Sequence, residues 1–322
     1  MGLVFLPFPT AASVISGDYK NRAEVDAFVN QLAVSSDYSQ AELVELFSQV
    51  KNQRHLFERM DRPAEKLSWF KYRRIFLTEK RISKGVKFWR ENLELIQQVS
   101  DKYQVPAEII VAILGVETFY GAYKGKSPVF DTLVTFAFDY PKRAKFFLRE
   151  LEQYLLLCKE QGLAPRQLKG SYAGAMGMPQ FISSSYRAYA VDFDGDQQVN
   201  LFESMADVLA SIANYFNKHG WRAGEPITRK LSVIELNQVD KLKPGVKLNY
   251  RGAELNAHGL VAKPALPALD KLAFISLEQI DHNEYWAGWN NFYVITRYNH
   301  SELYAMAAFQ LSQQIKQRMD AN

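Results

Sequence analysis

Between Arg22 and Val50 apolar residues recur at three- and four-residue intervals: Val25, Phe28, Val29 and Leu32, then Leu43, Leu46, Phe47 and Val50. That period lines one face of a helix, so the spacing predicts two amphipathic helices in succession. Asp61-Arg62-Pro63 breaks the pattern. A further helix is predicted over about 82–103, preceded by the aromatic segment Trp69-Phe70-Lys71-Tyr72. Helical periodicity continues over 131–138, 141–161 and 207–219, and again from Tyr304 to Met319. From Glu225 to about Tyr285 the pattern changes to short runs, such as Lys247-Leu248-Asn249-Tyr250-Arg251 and Phe274-Ile275-Ser276-Leu277, punctuated by Pro and Gly. This stretch reads as a small β unit, and the chain as mainly α within an α+β class.

One helix has no polar face. Ile109 to Val116 is a run of eight residues without a polar side chain, closed by Glu117 and followed by Thr118-Phe119-Tyr120-Gly121. Pro106 suits the first turn of a helix and Gly121 the position past its end, so Glu117 is predicted to project from the last turn of a buried helix. Apolar surroundings and the negative end of the helix dipole both disfavour its charged form. A carboxyl kept protonated near neutral pH is what a general acid needs. A surface glutamate at a frayed helix end is the bland alternative. A second acid is hard to find. Glu108 is about 13 Å away along the same helix axis, and Asp131 and Asp139 read equally well as caps or surface charges. A lone acid suits chemistry in which the substrate supplies its own nucleophile.

The composition narrows the class. At 322 residues, 48% hydrophobic and 23% charged, the chain is long enough for two or three packed units. The net charge of +4 is spread among interleaved acids and bases, which argues against a nucleic-acid partner. The single cysteine, Cys158, lies in an apolar stretch, so no intramolecular disulfide forms and no N-terminal cysteine offers a lipid anchor. The five histidines show no metal-binding spacing, and no run reaches the roughly 20 apolar residues that span a bilayer. Residues 1–16 resemble the later part of a secretory signal without its basic start, and a plain N-terminal arm fits them as well.

A second constellation is Asp192-Phe-Asp194-Gly-Asp196-Gln-Gln198-Val-Asn200-Leu-Phe-Glu203. Oxygen side chains at positions 1, 3 and 5, the Gln198 carbonyl at 7 and Glu203 at 12 match a twelve-residue loop that wraps Ca²⁺. Gln197 stands where that loop normally has glycine, which predicts a weakened or distorted site. A metal-free Asp-rich turn is the alternative.

Gly115 to Gly121, the segment Lys169 to Tyr186 (KGSYAGAMGMPQFISSSY), the Asp loop and Ile295 to Ser301 occur in an order that resembles the membrane-bound lytic murein transglycosylase B family. The resemblance runs over roughly 69–309. It implies a lysozyme-like core with an additional α-helical domain and a small β domain, and cleavage of the MurNAc-β-1,4-GlcNAc bond of peptidoglycan with formation of 1,6-anhydroMurNAc. Carried onto this sequence, Glu117 is the acid and then the base. Ser171, Gln180, Tyr298 and Asn299 match glycan-binding positions, and Tyr72, Tyr215 and Tyr304 match aromatics of the cleft, with Tyr304 orienting Glu117. The family's closing Ca²⁺ ligand aligns with Asp207 better than with Glu203.

On this reading residues 17–100 form an α-helical domain completed by 286–322, residues 101–224 the catalytic core and 225–285 the β domain. The expected cofactor is structural Ca²⁺, with no organic cofactor. The expected partners are peptidoglycan strands, with cell-wall synthesis proteins as further candidates, for a periplasmic monomer. A hydrolytic muramidase, a non-catalytic glycan-binding protein and a calcium-dependent adaptor are the competing readings.

Overall fold

The computed structural model describes residues 14–61 and 67–321, so most of the signal-like segment 1–16 lies outside the described residues. Two compact units form, one from the described residues of Met1–Met60, Gly125–Ala175 and Ile182–Ser184, the other from Asp61–Lys124, Met176–Phe181 and Ser185–Asn322. This division differs from the boundaries read from the sequence. The first helices group with 125–175, and it is the segment from 61 onward that groups with the C-terminal helices.

Aromatic packing explains the first grouping. Helices α1 (Ala23–Ser35) and α2 (Gln40–Ser48) are the two predicted from periodicity, and α2 begins at a capping box formed by Ser39 and Glu42. Their apolar faces meet α8 (Val129–Asp139): Phe47 lies against Phe130 at 5.3 Å and Phe28 against Phe138 at 6.0 Å. Helix α9 (Ala144–Glu160) packs along α8 and carries Cys158, whose thiol is 1% exposed and pushed up to about 12 by burial. The short strands β1 (Ser127–Pro128) and β2 (Lys169–Gly170) pair antiparallel.

In the second unit, α4 (Trp69–Phe76) realises the aromatic segment. The single helix expected over 82–103 is two, α5 (Glu79–Glu91) and α6 (Leu93–Tyr103). They part at Asn92, which leaves helical geometry (φ −122°, ψ 26°) while its side-chain Nδ2 donates back to the Phe88 carbonyl at 2.9 Å. Helix α7 (Ala107–Thr118) is surrounded by α5, α6, α11 (Met205–Lys218) and α15 (Glu302–Asp320). That enclosure answers a helix apolar on every side.

The β unit is a five-stranded antiparallel sheet in the order β4-β6-β7-β3-β5. Its strands are β3 (Thr228–Val233), β4 (Gly245–Arg251), β5 (Leu260–Val261), β6 (Lys271–Glu278) and β7 (Asn283–Gly288). Leu231, Leu255, Leu272, Phe274 and Trp289 form its core. Helix α14 (Asn290–Tyr298) follows β7 directly. Among the described residues no helix is long and apolar enough to cross a membrane.

Candidate active site

Every residue from Ile109 to Leu114 is fully buried, and Glu117, one residue from the end of α7, is half-buried. Pro106 stands at the N-cap, one residue before the first turn in which the sequence placed it, and Gly121 does not end the helix. Phe119 does so in the left-handed region (φ 54°), and Tyr120 follows in the same region (φ 60°). The helix end is also not the bare negative dipole assumed from sequence. Arg81 Nε donates to the Gly115 carbonyl at 3.1 Å and Lys84 Nζ to the Phe119 carbonyl at 3.0 Å, so two cations offset it.

The Tyr304 hydroxyl donates to Glu117 Oε1 at 2.5 Å. Ser301 sets this contact by capping α15, its Oγ accepting from the Tyr304 amide at 3.3 Å, which holds Tyr304 in the first turn. Tyr304 is 2% exposed, and burial, then the charge of Glu117, raises its pKa well above the ordinary phenol value. Its hydroxyl therefore keeps its proton and serves as donor. Tyr304→Phe is expected to lower kcat by about tenfold, the size of one hydrogen bond to a charged group, with little change in melting temperature. A rate within twofold of the parent would remove Tyr304 from the chemistry.

The other tyrosines brought forward by the sequence build the walls around this pair. Tyr298 stacks parallel to Tyr304, with centroids 6.4 Å apart and planes at 7°, and its hydroxyl donates to the Pro179 carbonyl at 2.7 Å. Tyr72 is buried against Trp69 and Phe76, close enough to Tyr304 for its charge to add to that residue's pKa shift. Tyr215 donates to the Arg297 carbonyl at 2.5 Å and stacks on His219 at 4.0 Å. Asn299 ends α14 in extended backbone, directly after Tyr298.

The glycine-rich segment is tied to the acid by a residue that the sequence reading passed over. Thr118 Oγ1 donates to the Met178 carbonyl at 2.9 Å and accepts from the Gly121 amide at 3.0 Å. Gln180 adopts a positive φ of 52°, and its Nε2 donates to the carbonyls of Gly177 and Lys124 at 2.8 and 3.2 Å. Ser171 belongs to the other compact unit, where its Oγ accepts from the amides of Ala173 and Ala175 at 3.2 and 3.0 Å and closes a tight turn.

The acids weighed as partners for Glu117 are committed elsewhere. Glu108 pairs with Lys316 at 2.9 Å. In the first unit Asp131 pairs with Arg166 at 3.1 Å, and Asp139 is bound by Arg22, by Arg54 at 3.0 Å and by Tyr19 at 3.0 Å. A half-buried acid that the sequence reading did not single out is Glu302, whose pKa burial raises. It lines a depression of about 540 Å³ with Trp69, Val246, Ser276, Glu278 and His300, beside the first turn of α15.

In the Asp loop, one carboxylate oxygen each from Asp192, Asp194 and Asp196 lie within 4.8 Å of one another. Gln197 takes the left-handed conformation (φ 70°) that a glycine would supply, so the turn is made despite the substitution. Asp192 accepts from the amides of Gly195 at 2.7 Å and Gln197 at 2.9 Å, and Asp196 from that of Gln198 at 2.8 Å. Asp207 is outside this trio and fully buried. Its two oxygens accept from the amides of Phe193 and Asn200, both at 2.8 Å, so it braces the two arms of the loop. Glu203 is exposed and also lies outside the trio.

The sequence profile of the transglycosylase SLT domain matches residues 20–313. The chain belongs to the transglycosylase SLT family. Within the family it is 38% identical over 311 residues to the membrane-bound lytic murein transglycosylase B of Escherichia coli K12, covering 94% of this chain and 85% of that protein. The crystal structure of the soluble lytic transglycosylase SltB1 from Pseudomonas aeruginosa is 42% identical, covers 92% of this chain and 99% of its own, and superposes with a TM-score of 0.86. The Escherichia coli lytic transglycosylase Slt35 in complex with calcium is 36% identical, covers 98% and 99% of the two chains, and has a TM-score of 0.89. The mainly helical fold with a small antiparallel sheet is that of these transglycosylases.

Proposed function

We infer that this SLT-family enzyme is a lytic murein transglycosylase that cleaves the MurNAc-β-1,4-GlcNAc bond with one residue, Glu117, as acid and base. The observation that carries this reading is the half-buried carboxyl of Glu117 in the last turn of a buried helix, accepting from the Tyr304 hydroxyl, while Glu108, Asp131 and Asp139 are held in ion pairs. An inverting or retaining hydrolase would ordinarily use a second carboxylate to activate water or to attack C1.

The steps balance with no added reactant. Glu117 gives its proton to the glycosidic oxygen as the C1–O4 bond breaks, and GlcNAc leaves with that proton on its 4-hydroxyl. The 6-hydroxyl oxygen of MurNAc then bonds to C1, and its proton passes to the Glu117 carboxylate. The acid is restored and the new end is a 1,6-anhydro ring. Tyr304 holds the carboxyl in place through both transfers. Gln180, Tyr298 and Asn299 are the glycan-contacting candidates on the unit that carries Glu117.

Asp192, Asp194 and Asp196 with the Gln198 carbonyl are a hard, oxygen-only donor set of the kind Ca²⁺ takes. Such an ion would hold the loop that leads from the helix Ser183–Tyr189 into α11. A peptidoglycan substrate supports a periplasmic location for the enzyme. Products of purified sacculi decide the reaction: mass spectrometry should show only anhydro-muropeptides, one water lighter than the reducing products. Reducing MurNAc ends alone would make the enzyme a muramidase.

A further inference from the structure

The backbone immediately after Glu117-Thr118 runs through three successive residues with positive φ, Phe119 (54°), Tyr120 (60°) and Gly121 (80°). Two of these are bulky L-residues, which avoid that region unless their surroundings dictate it. The surroundings come from α5. Tyr120 is buried, and its hydroxyl donates to the Arg81 carbonyl at 2.9 Å. Its ring occupies the space left by two glycines: a Cβ on Gly85 or on Gly115 would lie 2.4 or 2.6 Å from the Tyr120 side chain.

Arg81 reaches the same helix end with its side chain. Nε donates to the Gly115 carbonyl at 3.1 Å, and Nη1 donates to the carbonyl of Ile75 in the last turn of α4. The guanidinium lies 5.2 Å from the Phe76 ring and 5.1 Å from the Phe119 ring. Two separate nitrogens of the planar fork serve the two carbonyls on different helices, whereas lysine would have to reach both from one ammonium. Gly115 is two residues before Glu117, in the turn from which the catalytic side chain departs.

We propose that Arg81 is a positioning residue of the reaction: it ties the last turn of α7 to the end of α4 and so fixes the direction in which Glu117 meets Tyr304 and the glycosidic oxygen. Arg81 itself touches no reacting atom. The inference rests on Glu117 being the acid. A displacement of about 1 Å at a reacting group costs up to ~10²-fold in rate, whereas the glycan-contacting candidates Gln180, Tyr298 and Asn299 lie on elements that Arg81 does not tie.

The test compares kcat and KM of Arg81→Met and Arg81→Lys on purified sacculi, beside the parent and Glu117→Gln, at a temperature where circular dichroism shows each variant folded. Arg81→Met should lose about tenfold or more in kcat with KM within about twofold of the parent, and Arg81→Lys should fall between them because it keeps the charge and loses the fork. A kcat within twofold for Arg81→Met, however far its melting temperature falls, makes Arg81 purely structural and overturns the proposal. Full recovery in Arg81→Lys overturns it too, since charge alone would then suffice. If Arg81→Met does not fold, Arg81→Lys decides on the same twofold criterion. Activity retained in Glu117→Gln would instead show that the underlying assignment of the acid is wrong, before any Arg81 variant is compared.

Discussion

Glu117→Gln is expected to lower kcat by roughly 10³-fold or more while leaving the fold and the affinity for glycan strands close to those of the parent. Removing a general acid or base typically costs 10²–10⁴-fold, and Glu117 is asked to be both in turn. The amide keeps the shape of the carboxyl, and its carbonyl can still accept from Tyr304, so the contact at Oε1 survives in geometry. What is lost is a proton to give and a site to take one back. Melting temperature and pull-down on sacculi measure the parts that should persist; release of muropeptides measures the part that should not. Turnover within about threefold of the parent would mean that Glu117 is a bystander at the end of a buried helix.

The place of Glu117 at the end of a buried helix was legible in the sequence because burial leaves a one-dimensional trace. A helix apolar on every side must be enclosed, and a carboxylate in its last turn stands out against eight apolar neighbours. The residues that hold this acid leave no such trace. Arg81 and Lys84 look like solvated charges of an amphipathic helix, and only the packing of α5 against α7 turns them toward carbonyls 34 and 35 residues away in the chain. Thr118 is adjacent to Glu117, yet its partner, the Met178 carbonyl, is 60 residues distant. Periodicity reports which face is buried and not which element buries it.

The same limit explains the domain boundaries. Helices α1 and α2 were read correctly as amphipathic, but nothing in their own pattern says that Phe28 and Phe47 close on Phe138 and Phe130. The break at Asn92 is a local competition: a side chain that bonds its own backbone outweighed a hydrophobic period that continues on both sides of it. Gln197 is the reverse case. The residue type argued against the turn, and the surrounding amide contacts to Asp192 impose it.

Removal of calcium is expected to lower the melting temperature without silencing the enzyme. The three gathered carboxylates repel one another, and a divalent cation relieves that repulsion only where the fold assembles them. An ion that binds the native state alone stabilises it by about 2.7 kcal/mol at a hundredfold excess over its dissociation constant. For a unit of this size that corresponds to a fall of roughly 5 °C or more on chelation. Asp196→Ala should abolish the dependence and retain most activity at low temperature, because the reacting bond needs no metal. Asp207→Ala should behave differently: it unties the amides of Phe193 and Asn200, so the loop should loosen even in saturating Ca²⁺. Gln197→Gly sharpens the test, since the loop already holds a left-handed residue there and glycine removes its steric cost of about 1 kcal/mol. That variant should bind Ca²⁺ at least as tightly as the parent. Melting curves that coincide in excess chelator and in millimolar Ca²⁺ would reduce the three aspartates to a turn held by its own amide contacts.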